Sequence, residues 1–447
     1  MKNILILGAG LSTNSLIEYL LSNAEAHDWK VIVGDINEAL ARKKVNGHPR
    51  GEAKIFDIKD ETESWRTIAD ADVVISMLPA FMHSMVAKKC IDLRKPMLTA
   101  SYASEQIKEL DEQAKKAGIP IIMELGLDPG IDHMSAMSVI NRVKEAGGEL
   151  TSFYSFTGGL VAPEYDNNPW NYKFTWNPRN VVLAGNGVSQ FMKRGKYKYI
   201  PYHRLFDQLR VLQRKILKYG NFEVYANRDS LKYREIYGLE NVKSMYRGTV
   251  RRPGFTKAWN VFVQLGVTDD SYIIEDSENM TYREFFNAFM KYEPNVPVEI
   301  KIQEYCEGAN DPVVFEKLKW LGVFDNRKIG LKRATPAQIL QKLLEERWTM
   351  EPQDKDMIIM QHEFKYILNN EEKMIVSAMA VIGKDQDETA MAITVGLPLA
   401  ITTKLLLTGK ITGEGVMLPI KKQIYEPVLA ELETFGIKFE EKEYMLG

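Results

Sequence analysis

The sequence predicts an α/β chain in which a parallel-sheet domain is interrupted by an inserted α+β domain with a helical subdomain. Three observations predict it. The chain opens with an apolar run at 4–7 that meets Gly8-Ala9-Gly10 and passes into residues of helical spacing. Apolar runs then recur as far as residue 125, separated by helix-like stretches, and they end in acids, hydroxyl residues or a proline. Beyond residue 150 the pattern turns to strand-like alternation, and between 280 and 350 to amphipathic helical segments.

The opening strand, turn and helix have the form of a Rossmann-type nucleotide site. Gly8 permits the tight turn, Gly10 lets a pyrophosphate approach the backbone, and the following helix offers free N–H groups and its positive end. Leu11, Ser12 and Thr13 complete the phosphate loop, with Thr13 standing where a third glycine would complete the pattern. A second strand over 29–35 ends in Asp35, placed to accept from an adenosine ribose and to repel a 2′-phosphate, which favours NAD over NADP. Arg42, Lys43 and Lys44 follow closely and would reverse that preference if one folded over a phosphate. A third strand over 53–58 places Asp57 and Ile58 at the adenine edge, and a fourth over 72–79 sets Met77, Leu78 and Pro79 beside the cofactor.

Strands over 96–100 and 119–125 complete the unit, with a helical pattern over 104–118 between them. The carboxyl ends of parallel strands border the ligand crevice, so Ser101, Tyr102, Leu127 and Asp128 fall where a nicotinamide and its substrate would meet. The predicted organisation is a dinucleotide-binding domain of residues 1–130 plus about 390–447. Residues 131–389 form an inserted substrate-binding and dimerisation domain, with a helical subdomain near 280–350.

Composition excludes several classes. Lys plus Arg number 58 against 60 Asp plus Glu, a net charge of −2, and no basic run tracks a phosphate backbone, so nucleic acid is not an expected partner. The basic stretch 202–219, with Arg204, Arg210, Arg214, Lys215 and Lys218, reads as a solvated or interface face of a helix. No basic and apolar leader and no uninterrupted apolar run of bilayer length appears, so a cytoplasmic chain without membrane attachment is expected. Two cysteines exclude a disulfide framework, and six histidines without ligand spacing give no metal site.

Several runs carry a resemblance: 74–79 (Val-Ile-Ser-Met-Leu-Pro), 99–102 (Thr-Ala-Ser-Tyr), 124–134 (Glu-Leu-Gly-Leu-Asp-Pro-Gly-Ile-Asp-His-Met) and 168–176 (Asn-Pro-Trp-Asn-Tyr-Lys-Phe-Thr-Trp). Others are Gly158-Gly159-Leu160 with Ala162-Pro163-Glu164, Asn227-Arg228-Asp229-Ser230, Tyr246-Arg247-Gly248-Thr249, Thr394-Val395-Gly396-Leu397-Pro398 and Gly413-Glu414-Gly415-Val416. In this order they span almost the whole chain, which resembles the glutamate-forming saccharopine dehydrogenases of lysine metabolism.

The resemblance implies oxidation of the secondary amine of saccharopine by hydride transfer to NAD or NADP. Hydrolysis of the imine then gives glutamate and 2-aminoadipate 6-semialdehyde, or the reverse. A substrate with three carboxylates calls for cations, and Arg228 and Arg247 lie in matching motifs, whereas Arg251 and Arg252 read as surface charges. Asp128 leads for proton handling, with Tyr102 beside it and His133 as a further candidate. Thr157 stands where relatives often have cysteine and cannot supply a thiolate. The resemblance also implies that the last sixty residues rejoin the nucleotide domain and that the chain forms a homodimer. A polyamine-type carbon–nitrogen dehydrogenase would need acids in place of these arginines, and a non-catalytic NAD(P)-binding regulatory protein would keep the fold alone.

Overall fold

A computed structural model describes residues 1–184 and 186–446. The chain divides into two compact units, one formed by Met1–Gly147 and Ala380–Glu440, the other by Gly148–Met379 and Glu441–Gly447.

The first unit is built on a parallel sheet of β1 (Lys2–Leu7), β2 (Trp29–Asp35), β3 (Gly51–Ile55), β4 (Val73–Ser76), β5 (Met97–Leu98), β6 (Pro120–Ile122) and the late strand Gly415–Met417. Their spatial order is β3-β2-β1-β4-β5-β6, with Gly415–Met417 beyond β6 and every neighbour parallel. The order reverses between β1 and β4, which places a ligand crevice at their carboxyl ends. Ile4 to Leu7 and Val73 to Ile75 are fully buried, as befits central strands covered on both faces. The connecting helices are α1 (Asn14–Ala24), α2 (Glu38–Val45), α3 (Glu61–Ala69), α4 (His83–Asp92), α5 (Glu105–Lys108), α6 (Asp111–Ala117) and α7 (Ile131–Glu145).

One later helix, Ala390–Leu407, is long and apolar enough by composition to cross a membrane, but 72% of it is buried inside the protein. It packs along α1, and Gly396 allows the approach, since a Cβ there would lie 2.7 Å from the Leu16 amide nitrogen.

Several boundaries differ from the expectation. β3 stops at Ile55, leaving Asp57 and Ile58 in the following loop, and 104–118 forms two helices, not one. α7 belongs to the first unit rather than to the insert, and residues 441–447 to the second.

The second unit carries β7 (Glu149–Val161), β8 (Val188–Lys193), β9 (Lys196–Pro201), β10 (Leu212–Lys215), β11 (Asn221–Ala226), β12 (Ser244–Arg251), β13 (Asp356–Leu368) and β14 (Glu371–Ile382). The order along the sheet is β10-β11-β12-β7-β13-β14, then the C-terminal strand Glu440–Leu446, with β8 on β12 and β9 on β8. The antiparallel expectation is corrected at the centre, where β7 and β12 run parallel. Alternation reports which residues face a core and says nothing about strand direction; the long connection from β7 to β12 permits a parallel return. Nor is one face of this sheet uniformly open, because the first seven residues of β13 are all buried.

The stretch 202–219 is also corrected: instead of a helix it forms β10 between single turns at Tyr202–Arg204 and Leu217–Tyr219. Leu212 and Arg214 alternate in burial with Gln213 and Lys215, a period of two. Arg214 grips Glu363 through Nε to Oε1 at 2.6 Å and Nη2 to Oε2 at 3.2 Å. The helices Tyr282–Asn287, Val298–Tyr305, Pro312–Leu321 and Pro336–Trp348 occupy the region read as helical, with capping boxes at Thr281/Glu284 and Thr335/Gln338.

Candidate cofactor and substrate sites

The glycine turn sits at the reversal of the first sheet. Gly8 has φ +104°, and a Cβ on it would lie 2.8 Å from the Met77 carbonyl oxygen, so only glycine lets β1 turn beside the end of β4. A Cβ on Gly10 would meet nothing within 4 Å, so its outer face is open to a ligand. Thr13 is buried, and its Oγ1 donates to the Gly10 carbonyl at 2.7 Å; it closes the turn instead of presenting a hydroxyl.

Asp35 ties the end of β2 to this turn. Oδ2 accepts from the Ala9 N–H at 2.7 Å and Oδ1 from the Asn37 N–H at 2.8 Å, and each oxygen keeps a lone pair for a further donor. Of the nearby cations, Arg42 pairs with Glu38 on its own helix and Lys44 donates to Asn14 Oδ1. Asp57 Oδ1 accepts from Lys59 N–H at 2.9 Å, closing its own loop. Ile58 is corrected: it is 2% exposed and packs in the core with Leu5, Leu7 and Phe56, so its side chain does not face an adenine ring. Met77 and Leu78 are half-buried and Pro79 is exposed, after β4. Leu11, Ile36, Phe81 and Tyr102, in the loops after β1, β2, β4 and β5, are large apolar side chains left exposed at this edge. A ligand with flat apolar faces would cover such surface.

At the β5 and β6 end, Tyr102 Oη donates to Asp128 Oδ1 at 2.8 Å. Leu127, before Asp128, is buried, and its carbonyl accepts the Asp132 amide at 3.0 Å. Gly130 is required here, with φ +147° and a hypothetical Cβ only 2.0 Å from the Gly126 oxygen. Glu124 supports the segment from beneath: Oε1 accepts from Ala103 N–H at 2.9 Å, and Oε2 lies 2.7 Å from His133 Nε2. His133 is fully buried in this bracing and stands behind the edge rather than on it.

Sequence reading missed His83. Its Nδ1 lies 2.8 Å from Ser76 Oγ and its Nε2 2.7 Å from Ser101 Oγ, and burial pushes the imidazole pKa down to about 4. The available signal was its place four residues after Pro79, in the segment that leaves the ligand edge of β4 for α4.

In the second unit, Arg228 is exposed, donating weakly to the Leu183 carbonyl at 3.4 Å, and it makes no carboxylate contact among the described residues. Its loop is laced to β12: the Asn227 amide donates to the Arg247 carbonyl at 2.8 Å, and the Arg247 amide to Ser230 Oγ at 2.8 Å. The Arg247 side chain is buried over the Tyr233 ring, 5.0 Å from its centroid.

Arg251 and Arg252 are corrected as surface charges. Arg252 lies over Phe222 beside Asp166, and Arg251 is 2% exposed. The Arg251 guanidinium stacks over Tyr172 at 5.0 Å and Phe255 at 5.4 Å, and donates to the Val250 carbonyl at 2.8 Å. Its Nε has no partner, and no carboxylate pairs with it among the described residues. A buried arginine without an acid is costly, and here the three aromatic faces of Tyr172, Tyr225 and Phe255 surround it. The Thr157 hydroxyl is likewise buried without a partner.

Comparison with known proteins decides the family. Residues 4–122 match the saccharopine dehydrogenase NADP binding domain, and residues 126–437 match the saccharopine dehydrogenase C-terminal domain. The chain belongs to the saccharopine dehydrogenase family. It is 33% identical to the saccharopine dehydrogenase [NADP(+), L-glutamate-forming] of Saccharomyces cerevisiae, over 99% of both chains. The structure of the apo histidine-tagged saccharopine dehydrogenase (L-Glu forming) from that yeast matches with a TM-score of 0.90 at 32% identity, covering 99% of this chain and 100% of the other. The chain is also 34% identical to the mitochondrial alpha-aminoadipic semialdehyde synthase of Mus musculus, over 98% of its own length and 47% of that protein. It thus spans about half the length of that relative. Within this family the first unit is an NAD(P)-binding domain.

Proposed function

We propose that the protein is an L-glutamate-forming saccharopine dehydrogenase, oxidising the secondary amine of saccharopine with NAD(P) and hydrolysing the imine to glutamate and 2-aminoadipate 6-semialdehyde, or running the reverse. The observation that carries this reading is the Tyr102–Asp128 pair at the ligand edge of the nucleotide sheet, in a chain of this family. The nicotinamide, when bound, supplies the hydride acceptor. Asp128 Oδ1 holds the Tyr102 proton and can exchange that partner for the substrate ammonium or for the water that attacks the imine carbon. Until that exchange, Tyr102 keeps the carboxylate oriented. Ser101 lies beside them as a contact for cofactor or substrate. Arg228 and Arg251 are guanidinium groups without carboxylate partners among the described residues, suited to the carboxylates of a tricarboxylic amine, with Arg247 as a third contact. Guanidinium groups at this site disfavour a polyamine substrate, whose ammonium groups they would repel.

The cofactor-binding residues are Gly8, Gly10, Leu11, Ser12, Asp35, Met77, Leu78 and Pro79, with Thr13, Asp57 and Leu127 shaping the loops around them. We propose NAD as the preferred form, although the yeast relative is named for NADP(+). Asp35 sets a carboxylate at the end of β2, and the next residue, Ile36, is 77% exposed and brings no cation. We place the working compartment in the cytoplasm, with both cysteines buried as free thiols. Initial rates of saccharopine oxidation with NAD+ and NADP+, with glutamate assayed as product, test the reading; turnover with neither cofactor by a protein that binds both ligands rejects it.

A further inference from the structure

The proposed chemistry leaves one buried titratable side chain at the nucleotide edge unused. His83 opens α4 and is 2% exposed, and its two ring nitrogens meet Ser76 Oγ and Ser101 Oγ at 2.8 and 2.7 Å. Among the described residues neither nitrogen meets a carboxylate. Burial and the positive end of α4 both disfavour an imidazolium, so the ring is neutral and carries a single N–H.

Ser76 decides which nitrogen bears that proton. Its hydroxyl is fully buried at the end of β4, and His83 is its one side-chain partner among the described residues. A buried donor left unpaired costs more than an acceptor left with a spare lone pair. The Ser76 O–H therefore donates to Nδ1, the ring proton sits on Nε2, and Nε2–H donates to Ser101 Oγ. Ser101 Oγ has then accepted its hydrogen bond from the protein, and no side chain or carbonyl among the described residues accepts its own proton. Ser101 is half-exposed, next to Tyr102.

We propose that His83 is a positioning residue: the Ser76–His83–Ser101 chain fixes the Ser101 hydroxyl as a hydrogen-bond donor to a carbonyl or carboxylate oxygen of the bound ligand. The proposal rests on the assigned dinucleotide and saccharopine chemistry, which offers two sources of that oxygen, the nicotinamide carboxamide and a substrate carboxylate. A rotating hydroxyl would have to be frozen at each binding event; one already accepting from a buried imidazole has fewer orientations to lose.

The first test needs no turnover. Long-range proton–nitrogen NMR on protein labelled with ¹⁵N-histidine, with the His83 signals assigned by their loss in H83Q, reports the tautomer directly. A neutral ring protonated at Nε2 from pH 6 to 8 supports the proposal; an Nδ1–H tautomer or an imidazolium overturns it. The second test is a cycle of S76A, S101A and the double variant, with dissociation constants for NAD+ and NADP+ from intrinsic fluorescence and for saccharopine in the presence of the dinucleotide. Removing Ser76 should weaken one ligand about tenfold, the worth of roughly one oriented hydrogen bond, and the double variant should bind no more weakly than S101A. A weakened dinucleotide assigns the carboxamide, and a weakened saccharopine alone assigns the carboxylate. Additive losses, or no change in either constant, overturn the proposal. A wild-type protein that binds dinucleotide and ignores saccharopine removes the assigned substrate and leaves the tautomer and the dinucleotide arm to judge His83.

Discussion

At the edge of the first sheet, Tyr102, Asp128, Ser101 and His83 are held by hydrogen bonds between side chains, whereas in the second unit Arg228 and Arg251 carry guanidinium groups that no carboxylate among the described residues neutralises. The first arrangement fixes geometry with groups that cost little to bury once paired. The second keeps charge without an acid, which costs stability at buried Arg251 and leaves exposed Arg228 available to an anionic ligand. The difference separates residues expected to set the rate from residues expected to set affinity.

The largest effect should come from breaking the first arrangement. Asp128→Asn should lower kcat about 10²- to 10⁴-fold in the saccharopine oxidation assay, because the amide cannot take a proton; a variant within threefold of wild type would remove Asp128 from proton handling. Arg251→Met should raise the KM for saccharopine roughly 10- to 150-fold, the worth of a hydrogen bond to a charged group. Thermal unfolding of the same variant should show equal or greater stability, since an unpaired buried cation is removed. A large loss of stability with unchanged KM would assign Arg251 to packing alone. Asp35→Ser should shift the ratio of kcat/KM for NADP+ over NAD+ upward about tenfold by removing repulsion of a 2′-phosphate, and an unchanged ratio would detach Asp35 from cofactor choice.

A further effect, on stability rather than turnover, sharpens the role of burial. The His83 pKa in the folded protein, about 4, lies below its ordinary value of 6.5. Between those pH values the unfolded chain binds up to one more proton, so stability present above pH 6.5 is lost as pH falls toward 4, by roughly 3 kcal/mol in all. The stability gap between wild type and His83→Gln, followed by denaturant unfolding, should therefore narrow over that window; a gap independent of pH would place His83 in a more solvated setting.

What the sequence made legible follows from which forces act locally. Gly8, the strands β1 and β4 and the acid at the end of β2 announce themselves because turn geometry and burial on both faces restrict residue type at each position. Ile58 departs from expectation because adjacency to a strand end does not say which way a side chain points once the strand stops at Ile55. In the basic stretch 202–219 the spacing of charges suits a helix face, while the period of two in Leu212 to Lys215 belongs to a strand and prevails. Arg251 and His83 escaped for a different reason. Their meaning lies in rings and hydroxyls far away in the chain, Tyr172 for one and Ser101 for the other, and single-sequence patterns carry no such pairing. The parallel register of β7 on β12 is of the same kind.

The most direct test of the account is absorbance at the reduced-nicotinamide band on mixing the purified protein with saccharopine and either NAD+ or NADP+. Reduced cofactor, glutamate and 2-aminoadipate 6-semialdehyde should form in equal amounts, faster with NAD+. Saccharopine and dinucleotide bound together without any reduction would contradict it.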